Sequence, residues 1–161
     1  YLRGDNRFRG FKKDRRTVIE EWCKKEYKNL KKASNVLNCP KPIAFRKNIL
    51  VMEFKGEDFQ PYPKLKEVNI ENPQKGFKQI LDDIKQLWDK EKLVHGDLSE
   101  YNILIDSEGA LTWIDFAQGV HTSHPEAEEF LRRDIENLAN FFRSEGAEID
   151  VEKSVETVLQ G

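Results

Sequence analysis

Leu93 to Gly119, LVHGDLSEYNILIDSEGALTWIDFAQG, is the stretch whose reading decides the fold. Leu93 and Val94 lead into a polar loop holding His95 and Asp97, and Asn102 stands where the apolar run Ile103 to Ile105 begins. Asp106 to Gly109 has turn composition, and the chain returns through Leu111 to Ile114 to end on Asp115, which predicts a β-hairpin. A four-residue loop would pair Ile105 with Ala110 and Asn102 with Trp113, whereas a six-residue loop would pair Ile105 with Thr112 and Asn102 with Asp115. Either register leaves Asn102 and Asp115 at the same end of the hairpin, and Asp97 is near enough in sequence to fold over the same spot.

A carboxylate, an amide oxygen and a second carboxylate converging on one point suit magnesium or manganese, hard cations that keep several waters and take further ligands from phosphates. Phosphoryl transfer needs one carboxylate to orient the acceptor hydroxyl and take its proton, and oxygen ligands for the ions that neutralise the phosphates. The spacing HxDxxxxN followed by a strand-end aspartate matches that division of labour. Asp97 is therefore the candidate base, and Asn102 with Asp115 are the candidate metal ligands. Each residue alone is an ordinary turn or cap residue; the order helix, HxDxxxxN, hairpin, Asp, Gly, helix is what makes them specific. His95 reads as a support for the loop backbone rather than as an acid or base.

Outward from this stretch, Phe77, Ile80, Leu81, Ile84, Leu87 and Trp88 predict a core helix over 75–92. Ser123 or His124, with Pro125 in the first turn, opens a helix through Ala127, Phe130, Leu131, Ile135, Leu138, Phe141 and Phe142 that Gly146 ends, and Asp150 caps a last short helix. Towards the N-terminus, Thr17 and Glu20 form a capping box for a helix over about 18–35, whose inner stripe of Ile19, Trp22, Cys23, Tyr27 and Leu30 also includes Glu26. An inward carboxylate needs a cationic or hydrogen-bonding partner, unless it reaches water at the edge of the stripe. Ile43 to Phe45 and Ile49 to Phe54 predict a second hairpin with a buried, continuously apolar second strand, and 57–74 reads as a connection.

The 161 residues suffice for one domain. No run of apolar residues is long enough for a membrane helix and no signal peptide is visible, so a cytoplasmic protein is expected. Cys23 and Cys39 have no zinc-site spacing and read as buried or half-buried thiols. The net charge of −2 hides an asymmetry: residues 1–32 carry twelve Lys and Arg against five Asp and Glu, while the rest is acidic by nine. Such a basic end suits an anionic partner such as RNA, or is a solvated loop and helix face.

At HGDLSEYNILI (His95 to Ile105) and IDFAQGV (Ile114 to Val120) the chain resembles the RIO kinases, atypical protein serine/threonine kinases. EWCKKEYKNL resembles that family's helix C, ILVMEFKGED its hinge strand and HPEAEEFLRRDIENL the helix after its metal loop; YLRGDNRFR and FxGED are closest to the first RIO subfamily, in its archaeal form. The resemblance implies an α+β fold of protein-kinase type, with a partial small lobe of helix C and two strands over 1–55 and a mainly helical large lobe with the catalytic hairpin over 56–161. It also implies that Glu26 is the helix-C glutamate, that Met52 is the gatekeeper with the backbone of Glu53 and Lys55 holding adenine, and that Asp134 supports the loop. Asp97 and Asp115 would then serve catalysis, Asp115 also at the position of an aspartyl-phosphate, with ATP as substrate. Implied partners are a protein substrate, including the chain itself, and a pre-ribosomal particle or rRNA bound through the basic residues 1–16, in maturation of the small ribosomal subunit. No glycine-rich loop and no strand-borne lysine precede Tyr1, from which we expect a piece of a larger protein whose own ATP affinity is weak. A non-catalytic RNA-binding module and a small-molecule phosphotransferase of the aminoglycoside type are the competing expectations.

Overall fold

In the computed structural model, which describes residues 15–160, the first helix, α1, runs Arg15–Ala33. It begins ahead of the expected capping box, so Thr17 lies inside the helix rather than at its cap, because Arg15 and Arg16 already continue the helical turn. Cys23, Asn29, Leu30 and Ala33 are its buried residues, while Ile19 is exposed. The basic residues 1–14 lie outside the described residues.

Strands β1 (Pro42–Arg46) and β2 (Ile49–Met52) form the predicted antiparallel hairpin. The expectation of a buried β2 is overturned: Ile49 is 63% and Val51 47% exposed, and neighbouring Phe54 is 59% exposed. The physical reason is that the sheet has only two strands, so apolar side chains suited to a sandwiched strand have no cover among the described residues. The connection after β2 is more structured than its prolines suggested. It holds a second small hairpin, β3 (Gly56–Glu57) with β4 (Gln60–Pro61), and a single 3-10 turn at Leu65–Glu67.

Helix α2 (Pro73–Glu91) starts where Asn72 accepts a hydrogen bond from the Lys75 N–H at 3.0 Å, with Pro73 at the first helical position. Then come β5 (Leu93–Val94), the hairpin strands β6 (Ile103–Ile105) and β7 (Leu111–Trp113), and β8 (Val120–His121), which pairs antiparallel with β5. Helix α3 (Ala127–Ser144) begins later than Ser123 or His124, since His124 to Ala127 is a turn in which the Ala127 N–H reaches the His124 carbonyl at 3.0 Å. Helix α4 (Val151–Leu159) is capped by Asp150 as expected, its carboxylate accepting from the Lys153 N–H at 3.0 Å.

The core lies where α2, α3 and the β6–β7 hairpin meet, and Ile80, Leu131, Ile135, Leu138, Trp113 and Phe116 are at most 1% exposed there. Truncating one such aliphatic side chain to alanine costs about 2–5 kcal/mol, so this packing sets the rigidity of whatever the hairpin carries. Gly76 lets α2 approach α3 closely: a Cβ there would meet the Phe142 ring at 2.9 Å. Both cysteines are buried and free, and burial pushes the Cys39 thiol up to about 11, which leaves it an inert packing residue. Among the described residues no helix is long and apolar enough to cross a membrane.

Candidate active site

The hairpin register falls between the two expected ones. Ile103 faces Trp113 and Ile105 faces Leu111, so the loop has five residues, and the Ile114 N–H donates to the Asn102 carbonyl at 3.0 Å. Asp106 builds this loop, its Oδ1 accepting the N–H groups of Glu108 and Ala110 at 2.9 and 2.8 Å, while Gly109 takes the left-handed conformation at φ 84. Asn102 therefore stands beside the strand end from which Asp115 projects.

Asn102 also ties down the loop that precedes it, because its Nδ2 donates to the Asp97 carbonyl at 2.7 Å. Asp97, Asn102 and Asp115 thus meet at one end of the hairpin, as the sequence predicts. Asp97 and Asn102 are half-buried and Asp115 is exposed. Asp115 has φ 62, the left-handed region that a side chain other than glycine adopts at a cost of about 1–3 kcal/mol. Such strain persists only where surrounding bonds hold it.

One set of those bonds comes from α1. Asn29, one turn beyond Glu26, donates through Nδ2 to the carbonyls of Phe116 at 2.9 Å and Gly119 at 3.2 Å. The turn is tight against it, since a Cβ on Gly119 would lie 2.8 Å from the Asn29 Nδ2. Glu26 is half-buried, and its carboxyl is pushed up first by burial and then by the Asp115 carboxylate. Among the described residues it has no ion pair, so the inward glutamate predicted from the helical stripe faces a second negative charge rather than a lysine.

His95 is fully buried and bonded at both ring nitrogens: Nε2–H donates to the Ile114 carbonyl at 3.0 Å and Nδ1 accepts the Asp97 N–H at 3.3 Å. Burial pushes its pKa down to about 4, against the pull of the Ile114 carbonyl and Asp115. It is a neutral strut linking the loop that bears Asp97 to the strand that leads to Asp115. Its ring packs on Phe116 with centroids 4.7 Å apart.

From the other side α3 clamps the loop. The two carboxylate oxygens of Asp134 accept the N–H groups of Gly96 at 2.8 Å and Leu98 at 2.9 Å. Arg133 donates to the Gly96 carbonyl at 3.1 Å, and Asn137 to the Leu98 carbonyl at 3.3 Å. Burial pushes the Asp134 carboxyl up to about 7, with the two N–H groups and Arg133 pulling the other way. Sequence reasoning named Asp134 but passed over Arg133, Asn137 and Asn29. The polar run RRDIEN on an otherwise apolar helix, and an asparagine one turn beyond an inward glutamate, were the available signals.

Met52 closes β2, and Glu53 and Lys55 lie on the stretch joining it to β3. Met52 pairs with Pro42 at the end of the sheet. The Glu53 N–H donates to the Lys41 carbonyl at 2.9 Å and the Lys55 carbonyl accepts the Tyr62 N–H at 3.1 Å. The Lys55 ammonium reaches Glu53 and Asn38, each at 3.2 Å, and Asn38 in turn holds the β6–β7 hairpin through Thr112 Oγ1 at 2.8 Å and the Trp113 N–H at 2.9 Å. Asn38 thus joins the stretch between β2 and β3 to the hairpin.

Asn102 Oδ1 and the Asp115 carboxylate are hard oxygen donors, with the Asn102 amide nitrogen already engaged. Among the described residues no group of three His, Cys, Asp or Glu could hold a metal. Two such donors, with Glu26 and Asp115 repelling each other nearby, fit a magnesium ion that draws its other ligands from water and phosphate, not a caged zinc or calcium.

Comparison with known proteins identifies the family and the fold. The RIO domain family matches residues 1–155. The RIO-type serine/threonine-protein kinase Rio1 of Haloferax volcanii is 45% identical over 159 residues, covering 98% of this chain and 54% of that protein. Rio1 of Methanocaldococcus jannaschii is 46% identical over 143 residues, 89% of this chain and 49% of that protein, and Rio1 of Thermoplasma acidophilum is 42% identical over 154 residues, 95% and 80%. The chain spans about half the length of the first two relatives. Among solved structures, the Rio2 kinase–ADP/Mg2+–phosphoaspartate complex from Chaetomium thermophilum superposes with a TM-score of 0.72 at 25% identity, covering 88% of this chain and 45% of that one. The chain, with its α+β protein-kinase-like fold, belongs to the RIO domain family.

Proposed function

We propose that this chain is the part of a RIO-type serine/threonine kinase or ATPase that carries the catalytic and metal loops, residues 1–55 belonging to the small lobe and 56–161 to the large one. In the whole protein it transfers the γ-phosphate of ATP to a hydroxyl of a protein substrate, including the protein itself, or to water. The observation that carries this reading is the 2.7 Å bond from Asn102 to the Asp97 carbonyl, because it holds the candidate base beside the candidate metal ligand. Asp97 accepts the proton of the attacking hydroxyl, and Asn102 and Asp115 offer oxygens to magnesium, which when bound neutralises the phosphates.

Glu26 stands ready for a cation. Its raised pKa and its repulsion from Asp115 are relieved when a lysine ammonium or a metal ion sits between them. Adenine would be held by the Glu53 carbonyl and the Lys55 N–H, beyond the Met52 gatekeeper, since the Glu53 N–H and the Lys55 carbonyl already have internal partners. The phosphoaspartate of the Rio2 complex suggests a similar use of Asp115 here: a carboxylate oxygen attacks the γ-phosphorus, ADP leaves, and water later cleaves the acyl phosphate. A cytoplasmic role in small-subunit maturation is part of this proposal as what the RIO resemblance implies, and the charge asymmetry of the chain supports pre-ribosomal RNA as the partner of the basic residues 1–16.

The test is Asp97→Ala in the full-length protein. Turnover of MgATP should fall by about two to four orders of magnitude if Asp97 is the base. Phosphate release equal to that of the unsubstituted protein would overturn the assignment.

A further inference from the structure

A concavity of about 700 Å³, lined by none of Asp97, Asn102 and Asp115, opens between the β3–β4 connection, α2 and the turn of the catalytic hairpin. Its volume is in the range that holds several side chains of a ligand. Half-buried Val68, Ile70, Ile105 and Leu111 give it an apolar floor over the buried Ile80 and Phe142. Its lining also includes Glu57, Glu71, Asp106 and Glu108 and no lysine or arginine. Glu57, Glu71 and Glu108 are exposed, and among the described residues none of the four is in an ion pair. The negative field is felt inside: the Tyr62 hydroxyl is pushed up by burial and then by Glu57, Asp106 and Glu108.

This charge pattern repels nucleotides and nucleic acid and favours cations. Four carboxylates from three separate chain segments are more charge than one compact amine neutralises, and the apolar floor asks for side chains to cover it. We propose that the concavity is a docking groove for an extended peptide segment of a partner protein, in which arginines or lysines flank one or two large apolar side chains. The apolar side chains cover Val68, Ile70, Ile105 and Leu111 while the basic ones meet the rim.

The groove is joined to the chemistry by backbone bonds. The Ile105 N–H donates to the Pro63 carbonyl at 2.9 Å, the Lys66 N–H to the Glu100 carbonyl at 3.2 Å and the Tyr62 N–H to the Lys55 carbonyl at 3.1 Å. A peptide seated there is in contact with segments bonded directly to the hairpin, to the loop before Asn102 and to the adenine-side stretch. The groove does not depend on the catalytic reading, because it rests on shape and charge alone.

The test uses the full-length protein and a fluorescein-labelled peptide of alternating arginine and leucine, read by fluorescence anisotropy. Saturable binding is expected, weakening as salt rises. The double substitution Glu71→Lys with Glu108→Lys, both at exposed positions, should raise Kd at least about tenfold without moving the melting temperature. A peptide with serine in place of leucine should bind at least about tenfold more weakly as well. The proposal is overturned if the unsubstituted protein does not bind the peptide, if the double variant binds it equally well, or if the serine peptide matches the leucine one.

Discussion

Asn29 on α1 donates to the Phe116 carbonyl at 2.9 Å across 87 residues of sequence. That bond, and its companion to the Gly119 carbonyl at 3.2 Å, fasten the turn that follows the left-handed Asp115. A helix and a metal-loop candidate so joined move together, and the position of Asp115 becomes a property of α1 as much as of its own strand.

Replacing Asn29 by leucine keeps the side-chain outline but takes the Asn29 donor from two carbonyls, of which that of Phe116 still accepts the Gly119 N–H at 3.1 Å. A loss of about 1–3 kcal/mol of folding stability is expected, the cost of about one unsatisfied buried group. Urea unfolding of the two proteins measures it. A difference under about 0.5 kcal/mol would mean that the turn holds its shape without α1.

Asp134 holds the Gly96 and Leu98 N–H groups, one on each oxygen. Asparagine can accept only one of them and turns an NH2 towards the other, so Asp134→Asn should lose about 1–3 kcal/mol. The loop bearing Asp97 should loosen with it. Amide hydrogen exchange at Gly96 and Leu98 would rise in the variant, and unchanged protection there would contradict the clamp.

Two buried groups give opposite pH dependences. His95 has its folded pKa pushed down to about 4 from an ordinary 6.5, so between these values the unfolded chain binds more protons. Its stabilising contribution is present above about pH 6.5 and is lost as pH falls through 4, with a slope of at most about 1.4 kcal/mol per pH unit. Asp134 is raised to about 7 from 3.8, so the folded chain binds more protons in that window and its contribution, present below about pH 3.8, is lost as pH rises through 7. In plots of stability against pH, His95→Asn should therefore tilt the 4–6.5 segment downwards with rising pH relative to the parent, and Asp134→Asn should tilt the 4–7 segment upwards. Parallel curves for parent and variants would show that neither group titrates between folded and unfolded states.

The fold was legible wherever the relevant residues are close in sequence. Leu93 to Asp115 carries its own loop, strand, turn and strand, so the meeting of Asp97, Asn102 and Asp115 follows from local geometry. The apolar stripes of α2 and α3 and the Asp150 cap were readable for the same reason, since a helix period and a cap are decided within a few residues. Even there the hairpin register escaped, because a turn of five residues and one of four or six differ only in how Asp106 caps its neighbours.

By itself, then, the amino-acid order determined the four helices and the two longer hairpins among the described residues, and the gathering of Asp97, Asn102 and Asp115 at one hairpin end. Only the tertiary structure decided what holds these segments: Asn29 on the Asp115 turn, Asp134 with Arg133 and Asn137 on the Asp97 loop, and Asn38 between the hairpin and the stretch that follows β2. It also decided that β2, apolar enough for an interior strand, is exposed. The physical reason is common to all of these. A turn, a cap or a helical stripe is set by backbone geometry over a few residues, whereas burial and a buried polar group's partner depend on which distant segments the packed core brings alongside.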